Sequence, residues 1–313
     1  MARALRYVPP ETLVEVSAKT AQARFLLRPS EEMNRRLVGI LARAKCIYGV
    51  RIHAVSCLSN HWHALLSVRD ALQLSRFMNY VQSNLAKEAG DLHDWRGPFW
   101  GDRYHHVVVT GEPEIQHRRL AYVLGQGAKE GLVARPELWP GVHSVFALRD
   151  GEALRGIWYD RTGLCLAGRS KHDRSTLDDF ASEEILTLDP LPCWEAEGLC
   201  VREMQARVAE MVEHIAAEAA ATHEANGTHP SDPSVFVRVH PHQRPEKTQR
   251  SPRPFVHAAT KEVRERFREA YRIFSEAYRA AAERLRAGHR DVEFPEGSFP
   301  PPAPFIPPLL EPG

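Results

Sequence analysis

The chain has 313 residues, of which 43% are hydrophobic and 26% charged, a composition that suits one or two globular domains. Its five cysteines form no C-x-x-C motif, no stretch approaches eighteen uninterrupted apolar residues, and the start lacks an apolar signal core. These features argue against a disulfide-rich, membrane-spanning or secreted protein, so we expect a cytoplasmic one. Residues 1–150 carry 20 basic and 14 acidic side chains, which favours a polyanion such as nucleic acid as their partner.

The first half of the chain alternates short strands with amphipathic helices. In chain order, the predicted elements are a strand at 12–18, a helix capped by Ser30, strands at 51–58 and 61–68, a helix at about 71–89, a strand at 103–110 and a helix that ends at its own glycines near 125–131. The order β-α-β-β-α-β-α predicts an α+β fold with a ferredoxin-like antiparallel sheet. We expect its helices on one face, which leaves the other face open.

The strand HWHALLSV at 61–68 carries two histidines, His61 and His63, on the same face because successive strand side chains alternate. Their backbone positions are about 6.6 Å apart, so both imidazoles can reach a single metal ion or phosphate between them. The alternative is that the pair is incidental and partly solvated, since two-residue motifs recur by chance.

The last helix of this half carries Tyr122 and Gln126, four residues apart and therefore on one helix face. A tyrosine can attack a phosphodiester as a covalent nucleophile, and a glutamine can supply a neutral oxygen ligand beside two imidazoles. The alternative is that Tyr122 only packs beside its apolar helix neighbours.

Three segments in this order, LSNHWHALLSV, FWGDRYHHVVV and RRLAYVLGQGAKEGLV, resemble the single-tyrosine transposases of the HUH superfamily, particularly the REP-associated tyrosine transposases. The resemblance covers roughly residues 10–145. It implies that His61, His63 and Gln126 are metal ligands and that Tyr122 is the catalytic residue. It also implies the ferredoxin-like fold that the element order predicts.

The same resemblance implies a divalent metal ion, Mg²⁺ or Mn²⁺, as cofactor and single-stranded or hairpin DNA as partner. Tyr122 would cleave a strand to leave a 5′-phosphotyrosine and a free 3′-hydroxyl, and reversal with another 3′-hydroxyl would join strands in DNA transposition and recombination. A homodimer, with Tyr122 acting in cis or in trans, stays open. Two alternatives are a descendant that binds DNA hairpins without cutting and a metal-dependent phosphodiesterase that uses water.

The second half of the chain contains fewer motifs and divides by composition. The predicted divisions are a transposase domain at 1–150, a partly helical extension at 151–225, a Pro/His-rich linker at 226–256, a long amphipathic helix at 257–288 and a Pro-rich tail at 289–313. The long helix either packs on the catalytic domain or serves oligomerisation or contact with the DNA backbone. A further His-x-His pair, His240 and His242, falls in the predicted linker.

Overall fold

The computed structural model describes residues 5–168, 175–246 and 254–299. The strands are β1 (Thr12–Lys19), β2 (Arg51–Leu58), β3 (His61–Val68), β4 (His105–Val109), β5 (Leu154–Tyr159), β6 (Ala181–Leu186) and β7 (Val256–His257). The α-helices are α1 (Glu31–Tyr48), α2 (Ala71–Leu92), α3 (Pro113–Leu124), α4 (Val145–Arg149), α5 (Arg161–Ala167), α6 (Pro192–Glu197), α7 (Val201–Asn226), α8 (Ser234–Arg238) and α9 (Lys261–Arg286). Up to α3, strands and α-helices follow the predicted β-α-β-β-α-β-α order.

The main sheet has the strand order β2-β3-β1-β4-β7. All neighbouring pairs are antiparallel except β4 and β7, which pair in parallel through two residues of each strand. The fold is therefore α+β with a mostly antiparallel sheet and a helical C-terminal part, which confirms the predicted fold class. The middle strand is β1, with β3 and β4 on either side of it.

Capping residues fix the ends of the two long helices of this half. The Ser30 side chain accepts a hydrogen bond from the Met33 backbone at 3.1 Å, and Asp70 accepts one from the Gln73 backbone at 2.7 Å. Gly49 ends α1 with a φ of 62°, a left-handed conformation that favours glycine. These caps place the helices where the sequence predicted them.

Different helices cover the two faces of the sheet. The helices α1 and α2 pack on the face that carries Trp62 and Leu66, as the strand alternation predicts. On the opposite face, Leu58 and Leu65 pack in a second core with side chains from α3 and α7. The expectation of helices on one face therefore holds for α1 and α2, whereas the other face is not open. Apolar side chains lie between the polar side chains of this second face, and their burial stabilises the fold.

The part of the chain after residue 150 packs against these layers. The strands β5 and β6 form a two-stranded sheet, and β7 extends the main sheet beside β4. In α9, Phe267 and Phe274 contact Tyr7, and the Phe274 ring stacks on it at 4.4 Å between centroids. The predicted partly helical extension contains α7, and the helix predicted at 257–288 corresponds to α9. The division into domains stays a prediction, and residues 247–253 of the predicted linker and 300–313 of the predicted tail lie outside the described residues.

The predicted linker contacts the first half of the chain where it is described. The Nε2 atom of His242 lies 2.8 Å from the backbone oxygen of His93, and the Phe25 backbone donates to the Gln243 carbonyl at 2.9 Å. The rings of His240 and His242 are 4.9 Å apart between centroids. No helix among the described residues is long and apolar enough to cross a membrane.

Replacing Gly39 by alanine is expected to lower the free energy of unfolding by about 2–3 kcal/mol, which is typical of overpacking. A Cβ atom at this position in α1 would lie 2.0 Å from the backbone oxygen of Ile157 in β5. Because the obstructing atom belongs to the backbone, the sheet of β5 and β6 must move away from α1. Urea denaturation of the two proteins measures the difference.

The matched control is Gly90→Ala in α2, where the added Cβ would meet its nearest neighbour, the Trp95 carbonyl oxygen, at 3.4 Å. Alanine is favoured over glycine in a helix by about 1 kcal/mol, so this variant should be as stable as the parent or more stable. Equal effects of the two substitutions would contradict the close approach of α1 and β5.

Candidate active site

The two histidines lie side by side at the start of β3. Their ring centroids are 5.2 Å apart, and the rings are close to perpendicular, at 80°. The Nδ1 atom of His61 lies 2.7 Å from Oδ1 of Asn60. Since that oxygen only accepts, Nδ1 carries the proton and Nε2 is left to bind a metal ion.

The protonation state of His61 suits metal binding. Burial, together with the neighbouring His63 and Lys19, lowers the pKa of His61 to about 3. The ring is therefore neutral at pH 7 and keeps a lone pair. The Nδ1 atom of His63 is buried without a hydrogen-bond partner and lies 3.6 Å from Oε1 of Glu15.

Tyr122 approaches the histidines from α3, and Gln126 lies just beyond the end of that helix. The Tyr122 ring is 5.6 Å from the His63 ring between centroids. The Gln126 side chain is buried, with a residue exposure of 1%, and its nitrogen donates to the Tyr122 backbone oxygen at 3.3 Å. The Gln126 amide also raises the pKa of His61 and lowers that of the Tyr122 hydroxyl, so it lies near both. The structure thus brings the four residues singled out in the sequence into one cluster.

This donor set fits a divalent cation. Two imidazoles favour transition metals, whereas a side-chain carbonyl oxygen is a ligand that Mg²⁺ and Mn²⁺ accept. Of the two ions that the resemblance implies, the mixed set suits Mn²⁺ better. The roles of His61, His63 and Gln126 as ligands and of Tyr122 as nucleophile stay predictions.

A buried carboxylate, Glu15 of β1, lies beside the histidines. Its Oε2 atom accepts from the Nε and Nη2 atoms of Arg119, both at 2.5 Å, and lies 3.5 Å from Nε2 of His257. Burial alone raises the pKa of Glu15, but His63, Arg119 and His257 outweigh it, so the pKa lies below the ordinary glutamate value. Glu15 is therefore ionised at neutral pH.

Two cations lie over the ring of Tyr122. The guanidinium carbon of Arg119 is 4.0 Å from the ring centroid, and the Lys129 ammonium is 5.6 Å from it. The pKa of Tyr122 is nevertheless raised, because burial and Glu15 outweigh the lowering effects of Arg119 and Gln126. The phenol is thus protonated at neutral pH, and it must lose its proton when it acts as a nucleophile.

A second carboxylate, Glu130, follows α3. Its Oε2 atom accepts from the Gly127 backbone at 2.5 Å. Burial raises the pKa of Glu130, while the Gly127 backbone and His63 lower it. The contact with Gly127 ties the turn that holds Gln126, so the carboxylate fixes the chain beside the cluster.

Sequence reasoning missed several residues of this cluster. Glu15 interrupts an apolar strand, LVEV, and that polar position was the signal that could have found it. Nothing in the sequence distinguishes Arg119 from the adjacent Arg118. Nothing in the sequence indicated Glu130, or that His257 would reach the same place from β7.

A separate group of possible metal ligands lies between α3 and α6. Among the described residues, one group of three His, Cys, Asp or Glu side chains is close enough together to hold an ion, namely His117, Cys193 and Glu197. The Cys193 sulfur and His117 Nε2 are 3.6 Å apart, but Nε2 already accepts a hydrogen bond from Trp194 at 2.7 Å. Burial raises the pKa of the Cys193 thiol to about 11. The metal ligands predicted from the sequence are not part of this group.

Comparison with known proteins gives a family match to the first half of the chain. Residues 22–124 match the family described as "Transposase IS200 like". No curated protein matches the chain significantly.

Among solved structures, the chain is similar to a REP-associated tyrosine transposase bound to a REP hairpin, at 17% identity and a TM-score of 0.38, covering 46% of this chain and 82% of the other. A presumed transposase from Deinococcus radiodurans R1 gives 17% identity and a TM-score of 0.28, with coverage of 40% and 98%. The tRNA(His) guanylyltransferase of Saccharomyces cerevisiae gives 11% identity and a TM-score of 0.34, with coverage of 63% and 96%. These structural likenesses are distant, so the comparison rests on the family match: residues 22–124 of this chain are similar to the IS200-like transposases.

Proposed function

We propose that this chain cleaves and rejoins single-stranded DNA, with hairpins or palindromic repeats as substrates and Tyr122 as the nucleophile. The observation that carries the proposal is the cluster on one sheet face, where the Tyr122 ring lies 5.6 Å from the His63 ring and the His61 ring 5.2 Å from the same His63 ring. The family match supports it, because transposases process DNA.

In the proposed reaction the Tyr122 hydroxyl oxygen attacks the scissile phosphorus. A bond forms between the tyrosine oxygen and phosphorus, and the bond between phosphorus and the 3′ oxygen breaks. The products are therefore a 5′-phosphotyrosine and a 3′-hydroxyl. The phenolic proton is replaced by the new bond, and a proton ends on the leaving 3′ oxygen. Attack by a different 3′-hydroxyl reverses the step and joins strands.

The residues of this cluster have different roles in the proposed reaction. His61, His63 and Gln126 would hold the cation, whose chemistry when bound is to stabilise charge that develops on the phosphate oxygens. Arg119 stacks over Tyr122 and keeps a positive charge beside the phenol as it loses its proton. Lys129 adds a second positive charge on the same ring. Because all these side chains belong to one chain, we propose that Tyr122 acts in cis.

The test is to trap the covalent product. The protein is incubated with Mn²⁺ and labelled single-stranded hairpin oligonucleotides, including hairpins from its own genomic flanks, and the mixture is run on a denaturing gel. We expect a labelled band at the mobility of the protein, because DNA joined to a tyrosine survives denaturation. Removing the metal ion with a chelator is expected to abolish this band, and adding Mn²⁺ back in excess should restore it.

The two alternatives give different results in the same experiment. Hairpin binding on a native gel with no cleavage would favour the descendant that binds without cutting. Cleavage that needs Mn²⁺ but leaves no labelled protein would favour a phosphodiesterase that uses water. Either result would overturn the proposal of a tyrosine nucleophile.

A further inference from the structure

Glu15 places a carboxylate in a buried position of β1, where apolar side chains are the usual residues. Its neighbours in β1, Val14 and Val16, are fully buried on the opposite face, and the Glu15 side chain itself is 10% exposed. A buried charge is costly unless charged or hydrogen-bonded partners surround it. A hydrophobic side chain could fill this position in the sheet, so the contacts of the carboxylate must explain why a charged residue is there.

Those contacts join the parts of the proposed active site. The Oε1 atom faces Nδ1 of His63 at 3.6 Å, and the Oε2 atom receives the guanidinium of Arg119. The same guanidinium lies 4.0 Å above the ring of Tyr122. One carboxylate therefore contacts a candidate metal ligand directly and the candidate nucleophile through a single arginine.

The chemistry of these contacts favours a defined arrangement of each partner. An N–H at Nδ1 of His63 directed at the carboxylate leaves the lone pair at Nε2, and a carboxylate behind a metal-bound histidine orients the ring and raises its basicity. A guanidinium held at two of its nitrogens has a defined plane, which sets how it lies over Tyr122.

We infer that Glu15 is a positioning residue of this site, which orients His63 as a metal ligand and holds Arg119 against Tyr122. The inference rests on the proposed function. It adds a residue outside the 22–124 match, and the contact with His257 shows that the chain beyond residue 250 reaches this carboxylate.

The test compares Glu15→Gln with the parent protein. Glutamine keeps the shape of the side chain but not its charge. We expect the affinity for Mn²⁺, measured by electron paramagnetic resonance of the free ion without DNA, to fall about 10- to 100-fold, the range found for partners behind metal ligands. In the adduct assay the maximal rate should also fall, whereas the hairpin concentration for half-maximal rate should stay within about 2-fold.

The matched control is Glu88→Gln. Glu88 is also buried, at 5% exposure, and its carboxylate pairs with Arg36 and Arg161, away from the histidines. Removing its charge is expected to lower the melting temperature and to leave the Mn²⁺ affinity of the folded protein unchanged. A Glu15→Gln protein that behaves like this control, less stable but with the parent's Mn²⁺ affinity, would show a structural role only and overturn the inference.

The outcomes separate this inference from the proposed function. If the parent forms the adduct and folded Glu15→Gln matches it in Mn²⁺ affinity and maximal rate, the inference fails while the proposed function stands. If the parent binds Mn²⁺ but forms no adduct, the nucleophile fails and the Mn²⁺ affinities alone decide the role of Glu15. If the parent binds no Mn²⁺, the inference fails as well. Should Glu15→Gln not fold, Glu15→Asp keeps the charge and withdraws the carboxylate by one methylene, and an unchanged Mn²⁺ affinity then overturns the inference.

Discussion

Replacing Tyr122 by phenylalanine is expected to remove the covalent DNA adduct and to lower the rate of strand cleavage by roughly 10⁴-fold or more, the scale of loss when an enzyme loses its nucleophile. The change deletes one oxygen atom and keeps the ring that contacts His63 and Arg119. The fold, the Mn²⁺ affinity and the hairpin affinity should therefore stay close to those of the parent. Denaturing gels, metal titration and native gels measure these three properties in one set of samples.

A matched control for this variant is Tyr80→Phe. Tyr80 is also half-buried, on α2, and its ring stacks on Trp158 at 5.6 Å between centroids, away from the histidines. Loss of this hydroxyl should leave cleavage unchanged. If Tyr122→Phe still forms the adduct, another residue is the nucleophile, and the role given to Tyr122 is wrong.

Replacing His61 by alanine is expected to weaken Mn²⁺ binding by more than about 100-fold, because the change removes a ligand rather than the partner of one. The adduct should disappear at micromolar Mn²⁺ and return in part at much higher concentrations. Isothermal titration with Mn²⁺, together with the adduct assay over a range of Mn²⁺ concentrations, measures both effects.

The control for this variant is His53→Ala. His53 is another buried imidazole of the same sheet, on β2, which bonds to Ser67 and the Asp189 backbone. We expect this change to destabilise the fold while sparing Mn²⁺ affinity. An equal loss of affinity in both variants would indicate general disruption of the sheet and contradict the ligand role of His61.

Mixing the His61→Ala and Tyr122→Phe proteins tests whether the site is complete in one chain. The structure places both side chains around His63 within a single copy. We therefore expect no recovery of adduct formation in the mixture. Recovery would mean that one copy supplies Tyr122 to the histidines of another, as in the homodimer that the resemblance leaves open.

Features that depend on neighbouring residues could be read from the sequence. The strands β2 and β3 begin and end where apolar alternation predicted them, because strand side chains repeat every two residues. The same holds for the site: His61 and His63 share a strand face, and Tyr122 and Gln126 are four residues apart. Strand geometry alone brings the two histidines together, whereas Gln126 follows the end of α3 and meets Tyr122 through the turn there.

Features that depend on distant residues were decided by the tertiary structure. Arg119 is 104 residues from Glu15 along the chain, and His257 reaches the same carboxylate through two residues of β7. No local period relates these positions. The covering of the second sheet face by α3 and α7 is of the same kind, because it depends on which apolar surfaces meet when the whole chain packs. The sequence by itself thus determined the order of elements up to α3 and the pairing of His61 with His63, whereas tertiary packing decided how Tyr122 and Gln126 meet that pair and which charges surround them.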